Sequence, residues 1–166
     1  MSKRTIDFDL SDAGITKAIS EINRFKGDFL RACNTAIQQL VDMGVMYAKA
    51  QIVSMDAIES GELLGSIKGY FHAGKRVGVI FSDCWYAVFV EYGTGVVGTR
   101  NAHPNPPSGW TYDANEHGED GWYYYDVKQG RYRWTKGQSS GRFFYEALRH
   151  IRNNAASVYA AQCRGL

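Results

Sequence analysis

Four histidines, three cysteines, two adjacent serines and one acidic cluster are the residues of this chain equipped for chemistry, and their spacing argues against it. His72, His103, His117 and His150 fall in four separate stretches, with no i, i+4 pair of the kind that puts two imidazoles on one helix face for a metal. They are expected at the surface. Cys33, Cys84 and Cys163 are odd in number and far apart, which fits reduced, partly buried thiols and neither a disulfide framework nor a zinc site. "NEHGEDG", from Asn115 to Gly121, lacks the alternating oxygen ligands and closing glutamate of a calcium loop and reads as a solvated turn. Ser139 and Ser140 lie beside glycines, but no Gly-x-Ser-x-Gly elbow surrounds them and no histidine is designated as their base. "GVVGTR", from Gly95 to Arg100, has phosphate-loop glycines without the Gly-Lys-Ser/Thr ending or a following helix. No catalysis, metal or cofactor is expected.

Charge is patterned along the chain. The net charge of +2 is too small to argue for nucleic acid or an anionic membrane as a global partner. Locally, Asp113, Glu116, Glu119, Asp120 and Asp126 make 113 to 126 acidic, whereas Lys128, Arg131, Arg133, Lys136, Arg142, Arg149 and Arg152 make 128 to 152 basic apart from Glu146. Pairing across one hairpin, such as Asp126 with Arg131, is one account. The other is self-complementarity, one subunit's acidic loop meeting its neighbour's basic face in a head-to-tail ring. Arg131, Arg133 and Lys136 with Tyr132 and Trp134 also have the composition of a nucleic-acid surface, phosphate contact plus stacking. Trp110, Tyr112, Trp122 to Tyr125, Tyr132 and Trp134 exceed what one small hairpin can bury. The surplus points to a protein interface, where Tyr, Trp and Arg are enriched.

With 166 residues, 45% of them apolar and 22% charged, the chain has globular composition and single-domain size. A domain of about 150 residues hides roughly 70% of its unfolded surface, so neither cofactor nor crosslink is needed for stability. No apolar run approaches the roughly 20 residues that span a bilayer, and "MSKRTIDFDL" has no signal-peptide core. A soluble protein made in the cytosol, with no membrane partner, is expected.

Several elements must position these residues. "TIDFDL" alternates Ile6, Phe8 and Leu10 as a short strand does. From Asp12, Ile15, Ala18, Ile19 and Ile22, then Phe29, Cys33, Ile37, Leu40, Gly44, Ala48 and Ile52, recur at helical spacing to about Val53, with Gly27 placed to break or bend the pair. Ser60 suits the N-cap of a short helix, "GELLGSI". "SIKGYFHAGKRVGVIFS" reads as a hairpin turning at Ala73, Gly74 and Lys75, with Val77, Val79 and Phe81 on one face. "WYAVFVEYG" favours one or two helical turns, and 95 to 121, holding every proline, a long loop that serves as a binding arm or flexible insertion. "WYYYDV" and "RYRWT" form a second hairpin through Gly130, and a terminal helix follows from Gly141.

Four of these stretches, "ELLGSI", "WYAVFVEYGTG", "GWYYYDVKQGRYRWTKGQ" and "GRFFYEAL", resemble the tailed-bacteriophage head-tail joining or tail-completion family, of the lambdoid siphophage tail-component type and similar in kind to the lambda minor tail protein Z. The match runs through Ser60, Gly61, Leu63, Ser66 and Ile67, then Tyr86, Ala87, Phe89, Val90, Glu91, Tyr92, Gly93 and Thr94, then Thr135, Gly137, Gln138 and Phe143. It covers about Ser60 to the end. Where family members often read Ala-Arg-Pro-Phe, this chain has "SGRFF", so the proline that stiffens the start of the last helix is absent. The resemblance implies a non-catalytic virion protein of the neck, made in the host cytoplasm. It implies a homo-oligomer, commonly a sixfold ring, in contact with neighbouring neck proteins, the tail terminator and the tail tube, and with genomic DNA in the lumen.

The expectation is therefore an α+β domain spanning 1–166: an N-terminal strand and helices to 58, a hairpin and the Tyr-Ala/Glu-Tyr-Gly-Thr motif over 60–95, a loop and aromatic hairpin over 96–135, and a C-terminal helix over 141–162. Glu91, set between Tyr86, Tyr92 and the glycines, needs backbone N–H donors or an arginine if it is buried, with Arg142 the candidate. Gly93, Gly95 and Gly98 are then expected to turn the chain outward into the arm. Head-tail joining is the expected function. The alternatives are a tail terminator that caps the tail tube and a small nucleic-acid-binding protein that uses the basic aromatic hairpin.

Overall fold

The computed structural model describes residues 5–55, 61–113, 116–117, 119–164 and 166. Ser11 opens the first helix, its Oγ accepting the Gly14 N–H at 3.1 Å. Helix α1 then runs unbroken from Asp12 to Ser54, 43 residues or about 65 Å. Gly27 neither breaks nor bends the run into two helices. A mid-helix glycine costs about 1 kcal/mol, a penalty that propagation from ordered turns on both sides absorbs. The alternation in 5–10 predicts a strand, and the structure has none there. A strand requires an edge to join; instead the Asp9 carboxylate accepts the Ser11 N–H at 2.8 Å and turns the chain into α1, leaving Phe8 and Leu10 exposed.

Helix α2 (Glu62–Ser66) starts from Gly61 at φ 77°; Ser60, the expected cap, lies outside the described residues. It leads into strands β1 (Ile67–His72) and β2 (Val77–Ser82), antiparallel in the register Ile67↔Ser82 to His72↔Val77. On the face of this hairpin turned to α1, Gly69 and Gly78 stand among Ile67, Phe71 and Ile80. A Cβ on Gly69 would stand 2.5 Å, and one on Gly78 2.4 Å, from the methyls of Val41, so the helix lies directly on the strands. Val77, Val79 and Phe81 share the other face, where Phe81 meets Tyr70 edge-on at 6.0 Å.

Helix α3 (Ala87–Tyr92) forms as its pattern suggests, and "GVVGTR" is itself a helix, α4 (Gly95–Arg100), not the start of a loop. The second hairpin pairs β3 (Trp122–Asp126) with β4 (Arg131–Thr135), its turn holding Gly130 at φ 62°. Two further residues make β5 (Gly137–Gln138), and helix α5 (Phe143–Gln162) ends the fold. α5 returns along α1. His150 stacks on Tyr47 with ring centroids 4.3 Å apart, and Gln162 reaches Gln39 at 3.1 Å. Ala48, Ile52, Leu63, Ile67, Cys84, Ala87, Phe143 and Ala147 form the core between these elements. The architecture is α+β, with a long N-terminal and a C-terminal helix packed against a small antiparallel sheet.

Residues 101–113, the start of the expected arm, do not project. His103 is buried, Trp110 packs on Tyr92 and Phe89 at 5.1 and 5.9 Å, and the Tyr112 carbonyl accepts the Gly95 N–H. Apolar rings and orphaned backbone groups both favour folding back.

Phe143, with no exposed surface, is the largest side chain sealing α5 to the rest. Phe143→Ala is expected to cost about 3–5 kcal/mol and to lower Tm by roughly 10 °C in a thermal melt, whereas Leu148→Ala, at a site 45% exposed, should cost under about 1 kcal/mol.

Candidate functional site

Glu91 is 4% exposed, in the last turn of α3. Its Oε2 accepts the Phe144 N–H and its Oε1 the Tyr145 N–H, each at 2.9 Å. Both donors belong to the first turn of α5, where N–H groups have no intrahelical acceptor and where the helix dipole favours an acidic group. Arg142 holds the N-cap position at φ 56° and makes no side-chain cap. The cap comes instead from Glu91, 53 residues away from Phe144 in sequence. His103 Nε2 lies 3.2 Å from Glu91 Oε1. Because its Nδ1 accepts the Asn105 N–H at 3.0 Å, the network assigns the ring proton to Nε2, which donates to the carboxylate without the ring being charged. Tyr92 and Tyr145 flank the imidazole edge-on. Burial, and then the neighbouring Glu91 carboxylate, push the Tyr92 phenol above its ordinary pKa.

Arg142 does not pair with Glu91 through its side chain. Its Nη2 donates to the Ala102 carbonyl at 3.0 Å and its Nε to Ser140 Oγ at 2.9 Å, while its backbone N–H donates to the Glu91 carbonyl at 3.1 Å. The helix start already fills the carboxylate, and the left-handed backbone at Arg142 turns the guanidinium onto the 101–105 loop. His103, expected at the surface, is the member of the cluster that sequence reasoning missed; nothing in its spacing marks it.

The two motifs also meet through backbone. Thr94 bridges Gln138 and Gly95 bridges Gly137, Gly141 N–H donates to the Val90 carbonyl at 2.8 Å, and Gln138 Nε2 donates to the Phe89 carbonyl at 3.1 Å. A Cβ on Gly137, at φ 100°, would stand 1.9 Å from the Thr94 oxygen, and one on Gly95 2.4 Å from the Lys136 oxygen. At Gly93 and Gly98 the nearest backbone would be 2.7 and 2.9 Å away. These glycines therefore let two segments close on each other; they do not turn the chain outward. Tyr86 packs against the core, and Phe143 lies within it.

Beyond this junction stands the β3–β4 hairpin. Its register places Trp122, Tyr124 and Asp126 opposite Thr135, Arg133 and Arg131 on one face, and Tyr123 and Tyr125 opposite Trp134 and Tyr132 on the other. The first face turns toward the body, lining a cleft of about 540 Å³ with Phe89, Tyr112 and Gln138. There the expected Asp126–Arg131 pair is replaced by Asp126–Arg133 at 3.0 Å, because Arg131 donates to Gln129 Oε1 at the turn. The Arg133 guanidinium and the Gln129 N–H hold the Asp126 carboxyl below the usual carboxylate range. On the second face, Tyr123, Tyr125, Tyr132 and Trp134 are 66%, 52%, 71% and 49% exposed, joined in edge-on cross-strand pairs at 4.9 and 5.4 Å. Of the residues expected as subunit contacts, Trp110 and Tyr112 serve the interior, Tyr112 OH accepting the His103 N–H. Glu119 and Asp120 lie exposed before β3. Among the described residues, no three His, Cys, Asp or Glu side chains converge as metal ligands, and no helix is long and apolar enough to cross a membrane.

No family model matches this chain, and no curated protein or solved structure is significantly similar to it.

Glu91→Gln leaves one N–H of α5 facing an amide donor and is expected to lower stability by about 2–4 kcal/mol, read as a drop in Tm of roughly 10 °C; an unchanged melt would remove the cap from its central place. Gly137→Ala and Gly109→Ala both carry the positive-φ penalty of about 1–2 kcal/mol, but Gly109, at φ 80°, has open space around it. Denaturant melts should show Gly137→Ala losing markedly more stability than Gly109→Ala.

Proposed function

We propose that this chain is a non-enzymatic structural protein of a tailed-phage neck, a head-tail joining or tail-completion component that acts as a ring, sixfold by resemblance, in contact with neighbouring neck proteins and the tail tube. The observation that carries this is the outer face of the β3–β4 hairpin, where four aromatic side chains stand exposed with no charged strand residue among them. A two-stranded hairpin is marginal alone, and Tyr and Trp at this density match the central anchors of protein interfaces. The motif residues Glu91, Gly93, Gly137 and Gln138 form the rigid junction from which that face is presented.

The same register weakens the nucleic-acid alternative. Tyr132 and Trp134 lie on one face and Arg131 and Arg133 on the other, with Arg133 already engaged by Asp126. A stacking surface needs its cations beside its rings.

In the phage that encodes the chain, an early stop codon in its gene should give filled heads beside separate tails of normal length in negative-stain electron microscopy. Overlong tails would move the assignment to tail terminator; intact, infectious virions would overturn the neck reading. Complementation with the double variant Tyr125→Ser/Tyr132→Ser should restore few joined particles while its thermal melt stays close to wild type, because both side chains are more than half exposed.

A further inference from the structure

Helix α1 is covered along only part of its length. Between Ala18 and Ala36 none of its residues is buried, since α5 ends against Gln39. About 27 Å of helix, from Asp12 to Phe29, therefore reaches past α5. Its apolar side chains continue the core-facing stripe regardless: Ile15, Ile19, Ile22 and Phe29 are 40%, 55%, 54% and 43% exposed. Ile15, Ile22 and Phe29 recur every seven residues, the spacing at which helices pack side by side over several turns.

We propose that the N-terminal halves of α1 from several copies of this chain associate as a parallel, in-register bundle around a common axis. Charge selects both the occupant and its direction. With Ile15, Ile22 and Phe29 at the first seam position of each heptad, Glu21 and Asp28 flank the seam on one side and Lys26 flanks it on the other. In a parallel, in-register bundle Glu21 of one copy faces Lys26 of the next. In an antiparallel pair the acidic flanks, Glu21 and Asp28 of both copies, face each other. Glu21 and Lys26 are five residues apart, too far round one helix to pair within a chain. Ile19, beside the seam, widens the apolar face beyond a two-helix stripe and favours more than two copies. Lys17, Arg24 and Arg31 point away from the axis, and Arg31 pairs with Asp28 of its own chain. The bundle does not depend on the neck assignment; any cyclic homo-oligomer of this chain could be built on it.

Sedimentation equilibrium of the purified full chain tests the proposal. The wild type should sediment as a multimer, and Ile22→Asp, which takes nothing from the core, as a monomer with an unchanged circular-dichroism spectrum. At low salt Lys26→Glu should raise the dissociation constant roughly threefold per interface, and Glu21→Lys/Lys26→Glu should return it to the wild-type value. Oxidation should join two copies in the separate variants Ile15→Cys and Ile22→Cys alike, because a parallel, in-register contact sets both positions against their own copies, whereas an antiparallel pair can do so only at its single crossing point. A monomeric wild type, assembly untouched by Ile22→Asp, or a double charge exchange that restores nothing would each overturn it. Because the readout is association in solution, it fails or succeeds separately from the phage phenotype.

Discussion

The buried carboxylate of Glu91 organises the C-terminal half of this molecule. Glu91 accepts from two backbone N–H groups of α5 and from His103, so α3, the 101–105 loop and the last helix share one polar contact. Burial of an acid is costly without such partners, and partners that are themselves orphaned helix donors make the arrangement mutual. The start of α5 has no cap in its own sequence, since Arg142 stands at φ 56° with no side-chain bond to the helix. The direction in which α5 leaves, and hence its course along α1, follows from where Glu91 holds it.

Around that contact the glycines permit what side chains would forbid. Gly93, Gly95, Gly98 and Gly137 lie where another backbone comes within contact distance of the Cβ they lack, so the Glu-Tyr-Gly-Thr segment and the Lys-Gly-Gln segment close like two edges of one seam. Among the described residues, apolar side chains stay exposed outside it on the aromatic face of the second hairpin and on the N-terminal half of α1. The two faces lie on separate elements and differ in chemistry, one of aromatic rings, the other aliphatic and flanked by charge. Faces of this kind are what the proposed assembly would bury.

Much of the local structure was legible in the sequence. Both hairpins, the turn at Gly130, helix α3 and the long helices follow from periodicity, because each depends on contacts made within a few residues or across one turn. The need of Glu91 for backbone donors was also legible, since a carboxylate among aromatics and glycines has few other ways to be buried. Its donors were misassigned in part: Arg142 is next to α5 in sequence, but its backbone conformation aims the side chain at Ala102. His103 could not have been found, as its burial depends on a loop folding back over α3, and the proline-rich composition of that loop suggests projection.

What the sequence determined by itself is the inventory of long helices and hairpins and of the apolar faces they carry. Tertiary structure alone decided which glycines answer to which backbone, that Asp126 pairs with Arg133 and not Arg131, and that residues 5–10 form no strand. The reason is physical. Periodicity reports the partner a segment can accept, whereas distant backbone groups, brought together only by packing, decide which partner it meets.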